Sequence, residues 1–171
     1  MKTKTIISVL VVILFIAGLY IWGYSIKGGP AGSVQGTSTS NVSKGFLAVS
    51  EKLYDFGAIK INNGNVETKF KITNPTDKDI NLESITTSCM CTVAYIESVN
   101  GEKGPFGMVG HGGPVSKADE VIKAGESRNI RVVYDPLAHG PAGVGQIDRF
   151  IYLTDDSGST LQLEIKATVT P

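Results

Sequence analysis

The sequence predicts an all-β domain, an antiparallel β-sandwich of about seven strands, preceded by one N-terminal transmembrane helix. Three observations predict it. Residues 6–24 form an uncharged run of membrane-spanning length. From Phe46 onward the apolar residues repeat mostly with a period of two. Turn residues separate the short alternating runs.

The run at residues 6–24 (IISVLVVILFIAGLYIWGY) would cover roughly 28 Å as a helix, close to the hydrocarbon thickness of a bilayer. Lys2 and Lys4 precede it, and Tyr20, Trp22 and Tyr24 close it. Cytoplasmic lysines and an interfacial aromatic belt orient such a helix with its N-terminus inside. A cleaved signal peptide is the rival reading. Its apolar region spans about 7–15 residues and ends at small residues, whereas this run is longer and ends in bulky aromatics. A retained, single-pass signal anchor is therefore expected, and no cysteine follows it to carry a lipoprotein anchor. Either reading places the domain outside the cytoplasm, away from cytosolic ATP and reductants. The expected organisation is a cytoplasmic N-terminus at 1–5, an anchor at 6–24, a tether at 25–45 and an extracytoplasmic domain at 46–171.

The tether (SIKGGPAGSVQGTSTSNVSKG) is rich in Gly, Ser and Thr, and has too few apolar side chains to bury a core. The rest of the 171-residue chain, beyond the tether, is long enough for one domain with its own core. Lys plus Arg and Asp plus Glu balance at 16 each, so no electrostatic footprint points to nucleic acid, and none is expected as a partner. The expected partners are the membrane, through the helix, and an extracytoplasmic protein.

Within the domain, Val66, Thr68, Phe70 and Ile72 alternate with Glu67, Lys69, Lys71 and Thr73, as in a half-buried strand. Asn74-Pro75-Thr76-Asp77 turns the chain towards a strand with Ile80, Leu82 and Ile85. Ile130, Val132 and Tyr134 form another apolar face, with Arg131 expected outside. Residues 150–154 form a strand, Asp155-Asp156-Ser157-Gly158 a hairpin turn, and Leu161, Leu163, Ile165, Ala167 and Val169 the clearest strand of all. Residues 104–114 (GPFGMVGHGGP) read as a long loop between strands, and residues 138–145 (AHGPAGVG) as a shorter one.

Four motifs occur in order: Asp55-Phe56-Gly57-Ala58-Ile59, Phe70 to Asn74, Ser88-Cys89-Met90-Cys91-Thr92, and Ile122-Lys123-Ala124-Gly125-Glu126. In this the chain resembles the bacterial domain-of-unknown-function family fifteen-seventy-three, from about Leu53 to Val169. The resemblance implies an immunoglobulin-like sandwich, related to the ASPM/SPD-2/Hydin modules and often exported. It implies no activity. Met90 stands where that family has glycine, Ala124 where it has proline, and the segment between Thr92 and Ile122 is longer than the family's.

An enzyme is not expected. The two histidines, His111 and His139, both lie in glycine-rich loops, with no nucleophile elbow or phosphate-binding loop. Cys89-Met90-Cys91 is the one arrangement with reactive potential. In a strand, residues i and i+2 share a face, so the sulfurs would lie side by side and Met90 would point into the core. Three readings stay open: two packed thiols, a disulfide that requires the strand to bend, or a soft-metal site. No cofactor is expected unless it is copper. A Cu(I) site would draw on Cys89, Cys91, Met108 and His111, if the 104–113 loop folds over the pair. The functional expectation is an interaction module binding through the 99–117 loop, with Phe106, Met108 and His111 as its contact residues. The alternative is a thiol-redox or Cu(I)-handling protein.

Overall fold

The computed structural model describes residues 47–99, 101–110 and 117–171. The expected anchor at 6–24, the tether and His111 lie outside them. Among the described residues no helix is long and apolar enough to cross a membrane.

Ten strands form two sheets: β1 (Ala48–Val49), β2 (Leu53–Lys60), β3 (Val66–Thr73), β4 (Ile80–Thr87), β5 (Thr92–Ser98), β6 (Gly101–Phe106), β7 (Lys117–Ile122), β8 (Ser127–Tyr134), β9 (Gly145–Asp155) and β10 (Thr160–Thr170). One sheet has the order β1-β3-β8-β5-β6 and the other β2-β10-β9-β4-β7. The count exceeds the expected seven because short or exposed strands carry little alternation. β1 has two residues, and β2 is exposed along most of its length. The pairing is also not wholly antiparallel, since β2 lies parallel to β10.

The alternating runs do what their period requires. Ile72 from β3, Ile130 and Val132 from β8, Ile85 from β4, Ile151 and Leu153 from β9, and Leu163 and Ile165 from β10 are fully buried where the two inner faces meet. Arg131 departs from expectation. Its guanidinium is half-buried, bonded to Glu67 and Glu102 and stacked 4.1 Å from the centre of the Tyr95 ring. On the outer face of a sheet, cross-strand charges and a ring cover a long side chain that the alternation leaves outside.

The expected long loop is partly strand. β6 pairs with β5 and carries Phe106 into the core, opposite Ala94 and 3% exposed. Gly104 permits this contact: a Cβ there would lie 2.9 Å from the Tyr95 ring. The remaining turns are fixed by buried side chains. Asn74, fully buried, donates through Nδ2 to the Lys78 and Ile122 carbonyls and accepts from the Thr76 N–H. It thereby ties the β3–β4 turn to the end of β7. Asp155 accepts from the Ser157 and Ser159 amides and closes the β9–β10 hairpin.

Glu120 of β7 faces inward and is 7% exposed, against Arg128 at 2.9 Å and Lys103 at 2.6 Å. Burial pushes its carboxyl up, but the hydrogen bonds from Lys103 and Arg128 outweigh this and hold it below the ordinary 4.5. A carboxylate whose folded pKa is depressed stabilises the fold above its unfolded value, and that stability is lost as pH falls through the folded value. Urea midpoints should therefore drop below about pH 4.5, and Glu120→Gln should flatten that part of the profile. Identical acid slopes in both proteins would show that the pair contributes nothing.

Candidate functional site

The chain changes sheet at both sides of one end of the sandwich. β4 hands over to β5 through residues 88–91, and β8 hands over to β9 through residues 135–144. The register makes these crossings neighbours. Thr92, at the start of β5, lies opposite Tyr134, at the end of β8, and the Asp135 N–H donates to the Cys91 carbonyl at 2.9 Å. On the other sheet, the Ser88 N–H donates to the Phe150 carbonyl and the Phe150 N–H to the Ser88 hydroxyl, each at 2.9 Å.

Cys89 to Thr92 form a β-turn rather than the extended strand the sequence suggests. The Thr92 N–H donates to the Cys89 carbonyl at 3.2 Å. The Thr87 hydroxyl lies 3.0 and 2.9 Å from the Cys89 and Thr92 carbonyl oxygens and holds both ends of the turn. The turn brings the two cysteine Cα atoms to 5.3 Å, inside the range that a disulfide spans, and the two sulfurs are bonded. Glycine is not needed between them: among the described residues Asp119 is the one non-glycine with positive φ, so Met90 adopts an ordinary backbone conformation. Met90 does not enter the core. At the tip of the turn its side chain is 55% exposed.

The two sulfurs differ in their surroundings. Cys91 is 2% exposed, while Cys89 is half-buried and packs only partly against the core. His139 Nε2 lies 3.1 Å from Cys89 Sγ. A disulfide sulfur has no proton, so the ring N–H is the donor there. Arg149 Nε donates to Cys91 Sγ at 3.1 Å, and its Nη1 donates to the Asp148 carbonyl at 2.8 Å. Tyr134 stands in the same corner. Burial pushes its phenol up, the Arg149 guanidinium pulls it down, and Asp135 pushes it up again.

Of the residues singled out from the sequence, the structure joins Cys89 and Cys91. Met108 is half-buried just after β6, and the adjoining Gly107 carbonyl accepts from the Thr87 N–H at 3.3 Å. Phe106 is core and cannot be a contact residue. His139, which the sequence places only in a loop, is the histidine beside the pair. Arg149 also borders the pair, and the sequence carries a signal for it. It occupies the inward register of β9 between Ile147 and Ile151, where a charge needs a partner.

The molecule is thus a two-sheet β-sandwich with a bridged Cys-x-Cys turn at one end, flanked by a histidine and an arginine. Residues 47–109 match the model of the family described as Protein of unknown function (DUF1573). The match takes in the first three of the four motifs and stops before the fourth. No curated protein matches the chain. Among solved structures, a protein of unknown function from Porphyromonas gingivalis aligns with 18% identity and a TM-score of 0.52, covering 72% of this chain and 46% of that one. A family 123 glycoside hydrolase from Clostridium perfringens aligns with 7% identity and a TM-score of 0.50, covering 70% of this chain and 23% of that one. The ASH / PapD-like domain 7 of human CEP192 aligns with 9% identity and a TM-score of 0.44, over 84% of this chain and 98% of that one. The chain therefore spans less than half the length of the Porphyromonas protein. At these identities the likeness is one of fold.

Proposed function

We propose that the chain is a membrane-tethered, extracytoplasmic β-sandwich that exchanges electrons with protein partners through the Cys89–Cys91 pair. The observation that carries this reading is the bridge itself, at an end of the sandwich, with its two sulfurs in different surroundings. Such a bridge does little for the fold. Closing a three-residue loop constrains the unfolded chain by only about 1.6 kcal/mol, roughly half of what a fifteen-residue loop gives. The uncharged run at 6–24 behind Lys2 and Lys4 supports the anchor and the outward topology.

The chemistry follows from the asymmetry. A partner thiolate attacks Cys89 Sγ, the more accessible sulfur. The Cys89–Cys91 bond breaks, and its electron pair leaves on Cys91 Sγ as a thiolate facing Arg149 Nε–H. Exchange is faster when the leaving thiolate is stabilised, and a guanidinium does this. The partner's second thiolate then attacks its own sulfur in the mixed disulfide. This forms the partner's disulfide and releases Cys89 as a thiolate beside His139. The partner loses two electrons, the pair gains them, and the partner's protons pass to the two cysteines or to solvent.

The sandwich is then an interaction module whose contact end is the cysteine turn, with exposed Met90 as its apolar tip. The 99–117 segment is less suited to that role, because Phe106 is committed to the core. Arg149→Leu should slow opening of the bridge by glutathione about tenfold while the domain stays folded, and Arg149→Lys should recover part of the rate. Equal rates in wild type and Arg149→Leu would contradict the role given to the guanidinium.

A further inference from the structure

We propose that, once the bridge is reduced, Cys89, Cys91 and His139 form a three-coordinate Cu(I) site. One ligand atom from each of the three residues lies within 4.8 Å of the other two, so a single ion can reach all of them. The donors are held by backbone rather than left to chance. Both sulfurs sit on one hydrogen-bonded β-turn, and the segment carrying His139 is tied to it through the Asp135–Cys91 hydrogen bond.

The donor set selects the ion. Two thiolates and one imidazole are soft, and no carboxylate joins them among the described residues. Three donors suit Cu(I), whereas structural zinc takes four. Charge points the same way. Two thiolates and a monovalent ion leave one net negative charge, which the Arg149 guanidinium against Cys91 neutralises. A divalent ion would leave a surplus positive charge in a corner where Cys91 is 2% exposed. His139 thus takes the place that the sequence suggested for His111, and no methionine is required.

Loading is redox-gated. The bridged sulfurs offer no thiolate, so the site exists only after a dithiol has given two electrons to the pair and become a disulfide itself. In this respect the inference rests on the exchange reading. The test uses the full chain in detergent micelles, reduced by tris(2-carboxyethyl)phosphine, freed of reductant and kept anaerobic. Its thiols are counted, and Cu(I) is titrated against bathocuproine disulfonate. The expected result is two thiols and one tightly bound Cu(I) per chain, with none bound by the oxidised protein.

Cys89→Ser and Cys91→Ser should each weaken binding by about a hundredfold or more, and His139→Ala by roughly tenfold. X-ray absorption should show two sulfurs and one nitrogen around copper, and lose the nitrogen in His139→Ala. Two countable thiols without Cu(I) binding beyond that of the double cysteine variant would overturn the metal site and leave the exchange reading standing. A bridge that the phosphine cannot open in the folded protein would overturn both. An unchanged spectrum in His139→Ala would overturn the three-coordinate assignment.

Discussion

Phe70→Ala is expected to destabilise the domain by about 3–5 kcal/mol, the range for removing a buried aromatic side chain. Phe70 lies in β3, 4% exposed, with Ile130 of β8 opposite it in the register. β3 and β8 are neighbours in the β1-β3-β8-β5-β6 sheet, so the void would open where that sheet packs on its partner. The neighbouring isoleucines are themselves fully buried and have little freedom to collapse into it. For a domain of this size the loss corresponds to a melting temperature lower by roughly 10–20 °C. Far-UV circular dichroism on heating, followed at a β-sheet wavelength, checks it. A melting temperature within about a degree of wild type would mean that Phe70 does not pack in the core, and the sandwich would have to be redrawn.

The second large effect concerns chemistry rather than stability. Cys89→Ser should abolish oxidation of a dithiol peptide, a loss of at least about a hundredfold, because it removes the sulfur that is attacked. Cys91→Ser should abolish turnover equally but leave a different trace. With Cys91 gone there is no bridge for a partner thiolate to open. The lone Cys89 thiolate attacks an activated disulfide instead, expels one of its thiols and keeps the other half as a mixed disulfide that nothing within the chain releases. Both variants should fold, since the three-residue bridge contributes only about 1.6 kcal/mol. Mass spectrometry after incubation with an activated disulfide distinguishes the two. Equal mixed-disulfide yields from Cys89→Ser and Cys91→Ser would remove the distinction between an attacked and a leaving sulfur.

The sandwich is legible in the sequence because its central strands alternate cleanly. Val66 to Thr73 keeps one largely apolar face and Leu161 to Val169 a wholly apolar one, and a period of two admits few other structures. β2 and β6 are harder to see. In β2 the residues that pack against the core, Phe56 and Ile59, are three apart across a register shift, so no period of two shows, and β6 hides its one core residue, Phe106, behind a glycine and a proline. The cysteine pair is visible as chemistry but not as geometry. Whether Cys89 and Cys91 point apart or together depends on a β-turn that the Thr87 hydroxyl fixes through the Cys89 and Thr92 carbonyls, which the local sequence does not announce. His139 cannot be placed without the pairing of β5 with β8, a contact between residues 92 and 134. Arg149 is the readable clue: a charge in the inward register of β9, between Ile147 on one side and Ile151 and Leu153 on the other.

The central claim is that the Cys89–Cys91 bridge is a working disulfide on the outer side of a membrane. The most direct test adds membrane-impermeant glutathione to intact cells or spheroplasts expressing the full chain. Acid quenching, denaturation and maleimide-polyethylene glycol labelling then count the free thiols. Cys89 and Cys91 should carry no label before treatment, and both should carry it afterwards. Two labelled cysteines in untreated cells, or a pair that glutathione cannot open until the membrane is broken, would contradict it.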